Sequence, residues 1–117
     1  FEDLWVWQES RKLVVDIYHD FAEGTPGCRD YSFRDQIQSA GISTMNNAAE
    51  GFERESIAEY AHLAGVAKGS AGEVRSMYYA AEDLHYVTPE IALNRRTRAK
   101  RISQGLSNLI KRLKTRR

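Results

Sequence analysis

Apolar residues recur three or four positions apart in four separate stretches of the chain, and no alternating, strand-like pattern competes with them. This spacing places side chains on one face of an α-helix. The first stretch ends at the turn-forming run from Gly24 to Gly27. Its apolar pattern, which predicts the first helix, consists of Leu4, Trp7, Val14, Ile17, Tyr18 and Phe21.

The second stretch predicts a helix that starts near Asp30 or Ser32 and stops near Gly51, with small residues on its inner face toward the end. The residues that share this face are Phe33, Ile37, Ala40, Thr44 and Ala48.

Capping signals mark the starts of the last two helices. Ser56 and Glu59 form a capping box, in which each side chain satisfies a free backbone donor of the other. Thr88 followed by Pro89 is typical of a helix start, because proline lacks an N–H group that would be unsatisfied there. The core face of the third helix is Tyr60, Leu63, Ala67, Val74, Tyr78 and Ala81, and that of the fourth is Ile102, Leu106, Leu109 and Leu113.

Short connections join the four helices, and short loops link elements that lie side by side. The sequence therefore predicts an all-α fold, an antiparallel up-and-down four-helix bundle that forms one domain over residues 1–117. No run of residues reaches the ~18 apolar positions of a membrane span, and the first residues lack the features of a secretory signal. We expect no contact with membranes and a cytoplasmic location.

The third helix carries a second, unusual strip. At 100° per residue, small residues fall together opposite or beside the core face. A glycine inside a helix costs about 1 kcal/mol relative to alanine, so several on one side indicate close approach of another backbone or a large side chain. We predict an oligomer interface there, the alternative being glycines without a packing role. The strip is Ala58, Gly65, Gly69, Gly72, Ser76 and Ala80.

Polar residues on the second, third and fourth helices predict a structural network, because buried charges are rarely unpaired. A basic side chain of the fourth helix is expected to reach an acid such as Glu50 or Glu73. A functional site is the alternative. The predicted network is Gln36, Asn47, Glu50, Glu73, Arg95 and Arg98.

The net charge of +1 conceals a strong asymmetry. Residues 1–90 hold all 16 acidic side chains but only 7 of the 17 basic ones, a balance of −9, and residues 91–117 hold 10 basic side chains and no acid. Such polarity indicates an interaction surface. Alternatively, oppositely charged parts of one bundle, or of neighbouring subunits, neutralise each other.

Catalytic and metal-binding patterns are missing from the sequence. His19, His62 and His85 lack paired ligand spacing, and the single Cys28 has neither an evident base nor a second cysteine. The helix glycines do not follow a strand, so they do not form a phosphate-binding loop. We therefore expect no enzyme activity, no bound metal and no cofactor.

Several of these segments resemble a known bacterial family, the four-helix-bundle proteins encoded in intervening sequences of large-subunit ribosomal RNA genes. The resemblance rests on the start from Phe1 to Gln8, on a central-helix motif and on a third-helix pattern. Thr44, Met45 and Ala48 depart from residues usual in the family and thin the core. The matching positions of the two helices are Gln36, Ile37, Ala40, Ser43, Asn47, Ala49, Glu50 and Gly51, then Ser56, Glu59, Ala67, Gly69, Ser70 and Glu73.

The resemblance implies a homo-oligomer, a ring of five bundles, associated with ribosomal or other RNA. A related branch contains accessory proteins of diversity-generating retroelements, which are basic pentamers that bind nucleic acid. Two functions follow as hypotheses: binding of RNA or other nucleic acid by the fourth helix, or a scaffold that docks an acidic protein. The residues predicted to contact nucleic acid are Arg96, Lys100, Lys111 and Lys114, which project on the solvent side of the fourth helix, and Arg101 and Arg112, which flank them.

Overall fold

The computed structural model describes residues 2–116, and their side chains from Leu4 onward. Four helices account for nearly all of this range, and no strand occurs within it. Their bounds are α1 (Glu2–Asp20), α2 (Tyr31–Phe52), α3 (Ile57–Asp83) and α4 (Pro89–Thr115). The predicted all-α four-helix fold is confirmed. None of these helices has a stretch long and apolar enough to cross a membrane.

Side-chain caps start three of the helices at the predicted places. Asp30, Ser56 and Thr88 each accept a hydrogen bond from the backbone N–H three residues later, at 3.2, 3.3 and 3.2 Å. These bonds satisfy donors that have no partner inside the helix. Helix α3 ends with His85 in the left-handed region (φ 60°), which lets the Tyr86 N–H reach the carbonyl of residue 81 at 2.8 Å.

The helices are arranged as a square in chain order. Helix α1 packs against α2 and α4, and α3 packs against the same two helices from the other side. Helices α1 and α3 are therefore diagonal to each other across the core. Because successive helices run antiparallel, the end of α1 and the start of α4 lie at one end of the bundle, which is 48 Å long.

Apolar side chains from all four helices fill the centre of the square. Two buried hydroxyls, those of Ser10 and Thr44, donate to carbonyls one helical turn earlier, at 2.7 and 2.9 Å. Thr44 thus occupies a core position without leaving its hydroxyl unpaired. The main buried residues are Val6, Leu13, Ile17, Phe21, Ile37, Val74, Tyr78, Ile102, Leu106, Leu109 and Leu113.

Helix α1 differs from the prediction, because its apolar pattern combines two faces. Ile17 and Phe21 are buried, whereas Leu4 is 57% exposed and Tyr18 43% exposed. Val14 and Trp7 lie between these extremes. Helical spacing alone does not distinguish a side chain over the core from one a third of a turn away.

Candidate nucleic-acid interface and polar network

An ion-pair network joins three helices at the end of the bundle where α1 stops. Asp20, only 5% exposed, accepts two hydrogen bonds from the Arg95 guanidinium, both at 2.8 Å, and one from the Tyr78 hydroxyl at 2.7 Å. One turn away, Arg98 pairs with Asp16 at 2.5 Å. Paired, hydrogen-bonded charges of this kind hold helices in register.

Network partners differ from the predicted ones. Arg95 and Arg98 contact acids of α1, so the expected pairing with Glu50 or Glu73 is wrong. Glu50 is exposed and pairs with Arg54, just after the end of α2. The antiparallel arrangement explains this result, because the start of α4 lies beside the end of α1.

A separate polar seam joins α2 and α3. Gln36 donates to the Glu73 carboxylate, and the hydroxyls of Ser43 and Ser70 are 2.7 Å apart. Asn47 donates to the carbonyl and the hydroxyl of Ser43 at 2.8 and 3.0 Å. Five of the six residues predicted as one network therefore belong to two groups on opposite sides of the bundle, and Glu50 belongs to neither.

The environment of Tyr78 has a consequence for stability at high pH. Its burial and the negative charge of Asp20 raise the pKa of Tyr78 above its ordinary value, and the hydrogen bond to Asp20 raises the pKa of Arg95. A phenol whose pKa is raised on folding stabilises the fold fully below its unfolded pKa near 10 and loses that contribution as pH rises above it.

We therefore expect the free energy of unfolding to fall above pH 10 by about 1.4 kcal/mol per pH unit from this group. The Tyr78→Phe variant should lack that part of the fall. Urea unfolding between pH 9 and 11 measures it, with exposed Tyr31→Phe as the control. Identical slopes for Tyr78→Phe and the wild type would contradict this assignment.

The positive charges of α4 divide into two groups. The first is neutralised within the bundle: besides Arg95 and Arg98, Arg96 pairs with Glu82 at 2.8 Å and lies 4.2 Å from the centre of the Tyr79 ring. Its side chain is only 14% exposed. The prediction that Arg96 projects into solvent is therefore wrong.

The second group is exposed and lies further along α4. Lys100, Lys111 and Lys114 form no ion pair within the described part of the chain. Arg101 and Arg112 are also exposed, but they lie on the α1 side of α4. Gly105 lies one turn after Arg101 and two turns before Arg112, so the three residues share one side of α4. This side faces α1, because a Cβ added at Gly105 would lie 2.9 Å from Val6.

Helix α3 adds two basic residues that the sequence analysis missed. Ala61 lies in a groove with Ile110 and Lys114 of α4, and Tyr79 contacts Arg96, so this side of α3 faces α4. Lys68 is seven residues after Ala61, and Arg75 is four before Tyr79. Helical periodicity therefore places both on the same side. The acids Glu59 and Glu73 lie on the α2 side, whereas Glu82, near the end of α3, lies on the α4 side and is paired with Arg96.

We define the α3–α4 basic surface as Lys68, Arg75, Lys100, Lys111 and Lys114. Lys100 and Lys114 alone are about 21 Å apart along the helix, at 1.5 Å per residue. A nucleic-acid duplex carries one phosphate per ~3.4 Å of each strand, so about six phosphates of one strand match the length of this row of lysines. Sequence reasoning missed Lys68 and Arg75 because they are isolated on α3.

The glycine strip of α3 faces solvent. A Cβ added at Gly65, Gly69 or Gly72 would have no other atom within 4 Å. Ala58 and Ser76 are exposed as well, and Ala80 is half-buried. The structure thus places all six strip residues outside the core, on the face of α3 opposite the bundle centre.

Metal ligands do not come together in the described part of the chain. No group of three His, Cys, Asp or Glu side chains there is close enough to hold an ion. His19 and His85 both border one surface groove at the end of the bundle, whereas His62 lies beside the start of α3, in grooves at the opposite end.

Comparison with known protein families shows the relationship. The profile of the family described as 23S rRNA-intervening sequence protein matches residues 2–108, which is most of the chain. The chain belongs to this family. The predicted resemblance is confirmed. A search of curated proteins finds no match.

The fold is shared with a crystal structure from Bacteroides thetaiotaomicron, described as a protein of unknown function from the S23 ribosomal protein family. The two superpose with a TM-score of 0.87 and 21% sequence identity, over 95% of this chain and 99% of the other. At that identity the likeness establishes the four-helix fold.

Proposed function

We propose that this protein is a non-enzymatic, homo-oligomeric bundle that binds RNA through the α3–α4 basic surface. The observation that carries the proposal is the division of charge on α4. Its first arginines are neutralised by Asp16, Asp20 and Glu82, whereas its later lysines have no acidic partner in the described structure. Unpaired lysines on one surface attract a polyanion and release its counterions.

Family membership supports RNA as the polyanion, because the family is described by a ribosomal RNA intervening sequence and the structural relative by a ribosomal protein family. The proposal extends to association with the ribosome in the cytoplasm and to a ring of five copies, as the resemblance implies. A ring would repeat the basic surface five times, and linked weak sites bind one polyanion far more tightly than a single site.

Binding of the phosphate backbone without base reading fits this surface. Lysine presents a flexible point charge, and a row of lysines positions a backbone but does not identify bases. We therefore expect affinity that depends on salt and RNA shape more than on sequence.

The decisive experiment is a fluorescence anisotropy titration of a structured RNA with wild-type protein and the double variant Lys111→Glu, Lys114→Glu. Each lost phosphate contact removes about 0.9 from the slope of log K against log salt, so the slope should decrease by about 2. Affinity at 0.1 M salt should fall roughly tenfold or more.

A matched control carries the same charge change elsewhere: Arg29→Glu with Arg54→Glu, both exposed and on the α2 side of the bundle. This control should bind almost as well as the wild type. Equal losses in the two double variants would show that only net charge matters, and wild-type affinity independent of salt would contradict backbone binding altogether.

A second candidate function is docking of an acidic protein. The end of α2, the start of α3 and the connection between them expose Glu50, Glu53, Glu55 and Glu59, at the end of the bundle where α4 presents Lys111 and Lys114. An acidic segment of this kind on a partner matches the same lysines. A pull-down with and without ribonuclease separates the two candidates, because a partner bridged by RNA disappears after digestion.

A further inference from the structure

An exposed apolar face runs along the outer side of α1. Leu4, Val15 and Tyr18 are 57%, 49% and 43% exposed, and Trp7 is half-buried. They occupy one side of the helix, away from Leu13 of the core, and Leu4 and Trp7 also line a groove against the end of α2. We call these four residues the α1 apolar face. Several large apolar side chains on one side of a helix mark an interaction surface more often than a single exposed residue does.

The glycine strip of α3 has the opposite character. Its glycines carry no side chain and meet no other atom within 4 Å, so the helix backbone is open to close approach. Small residues permit a neighbouring helix to pack tightly, and large side chains that lie against them lose contact with water. The α1 apolar face supplies such side chains, and the glycine strip supplies the flat surface that accommodates them.

These two surfaces point in opposite directions. Helices α1 and α3 lie on opposite corners of the square and do not pack against each other. One copy therefore cannot bring its own two surfaces together. Contact between them requires a second copy, and a contact between two different surfaces repeats head to tail and generates a ring or a filament.

Charge agrees with this pairing. Arg11 lies in the middle of the α1 apolar face, with its guanidinium 5.6 Å from the centre of the Trp7 ring. The glycine strip is bordered by Glu59 and Glu73 on its α2 side and by Lys68 and Arg75 on its α4 side, so Arg11 of the next copy finds acids at the α2 edge of the strip. A face-to-face contact between two α1 apolar faces would oppose two Arg11 side chains, and one between two glycine strips would bury few apolar atoms.

We propose that the α1 apolar face of one copy packs on the glycine strip of α3 in the next copy. This inference rests on the homo-oligomer of the proposed function and names the two surfaces that form it. Lys68 and Arg75 lie on the α4 side of α3, beside the strip and outside it, so assembly and RNA binding use different residues.

A mixing experiment tests the head-to-tail contact with nuclease-treated protein. Val15→Glu places a charge in the α1 apolar face and leaves the glycine strip intact. Gly69→Leu fills the strip and leaves the α1 face intact. Each variant alone is expected to fall to the monomer mass by light scattering. Their equimolar mixture should form a heterodimer of twice that mass and nothing larger, because it contains only one intact pair of surfaces.

Controls place the same side chains on the outer side of α2, which the proposed contact does not use: Asn46→Glu and Ser39→Leu, both at exposed positions. They should keep the wild-type mass. Circular dichroism checks folding, and the open space around Gly69 means that leucine there meets no bundle atom at its Cβ.

Several results would overturn the inference: a monomeric wild type, a single variant that keeps the wild-type mass, or a mixture that stays monomeric. If only Val15→Glu dissociates the oligomer, the contact is between two α1 faces; if only Gly69→Leu does, it is between two strips. Failure here leaves the RNA titration unaffected, and failure of the lysine variants to weaken RNA binding leaves the heterodimer result intact.

Discussion

Replacing Asp20 with alanine is expected to lower the free energy of unfolding by about 3–5 kcal/mol, because it leaves a buried guanidinium without its anion. Asp20 accepts all three hydrogen bonds that tie α1 to Arg95 of α4 and Tyr78 of α3. An acid in the last turn of a helix opposes the helix dipole, so local structure does not account for it. Its stabilising contribution comes from the tertiary pairs.

Urea unfolding followed by circular dichroism measures the loss. Asp35→Ala is the matched control, since Asp35 is exposed and pairs only with its neighbour Arg34; its effect should stay within about 0.5 kcal/mol. In a double-mutant cycle, Arg95→Ala in the Asp20→Ala background should cost much less than in the wild type. A loss below about 1 kcal/mol for Asp20→Ala would show that the ion pair contributes little net stability.

Local chemistry was sufficient to predict the helices. Asp30, Ser56 and Thr88 cap α2, α3 and α4 where the sequence places them, because capping depends on residues within one turn. The fold class followed from four amphipathic segments with short connections. Neither prediction needed information about distant residues.

Partners across the bundle were not predictable from helix faces alone. Arg95 was expected to reach inward and pair with Glu50 or Glu73. It does reach inward, but its partner is Asp20. A signal was present in the topology, since an up-and-down bundle places the start of its fourth helix beside the end of its first. Arg96 was assigned to solvent because projection of a single helix omits the neighbouring Tyr79 and Glu82.

The helix glycines also show that the sequence of one helix does not reveal its contacts with neighbouring helices. Sequence treats all helical glycines alike, but an added Cβ at Gly105 would lie 2.9 Å from Val6 and one at Gly51 2.8 Å from Tyr60, while Gly65 and Gly69 are open. The first two allow close packing inside the bundle, and the last two face solvent. Helical periodicity located the outer strip on α3, but it did not separate the two apolar faces of α1.

Phe21 anchors an aromatic cluster at the end of the bundle that also holds Asp20. Its ring is 1% exposed and lies 5.7 Å from Phe33, 6.5 Å from Tyr78 and 6.4 Å from Tyr86, measured between ring centres. Tyr86 is itself held by a 2.7 Å hydrogen bond to the Asp30 carboxylate, which raises the pKa of Tyr86 and lowers that of Asp30. The surrounding rings are thus fixed and have little freedom to close a cavity.

Phe21→Ala is therefore expected to cost about 3–5 kcal/mol of unfolding free energy, measured by urea unfolding. Leu93→Ala, at a 59% exposed position on α4, should change it by no more than about 0.5 kcal/mol. Because Lys111 and Lys114 lie at the other end of the bundle, folded Phe21→Ala protein should bind RNA with wild-type affinity. A fall in affinity at a temperature where the variant remains folded would show that the two ends are coupled.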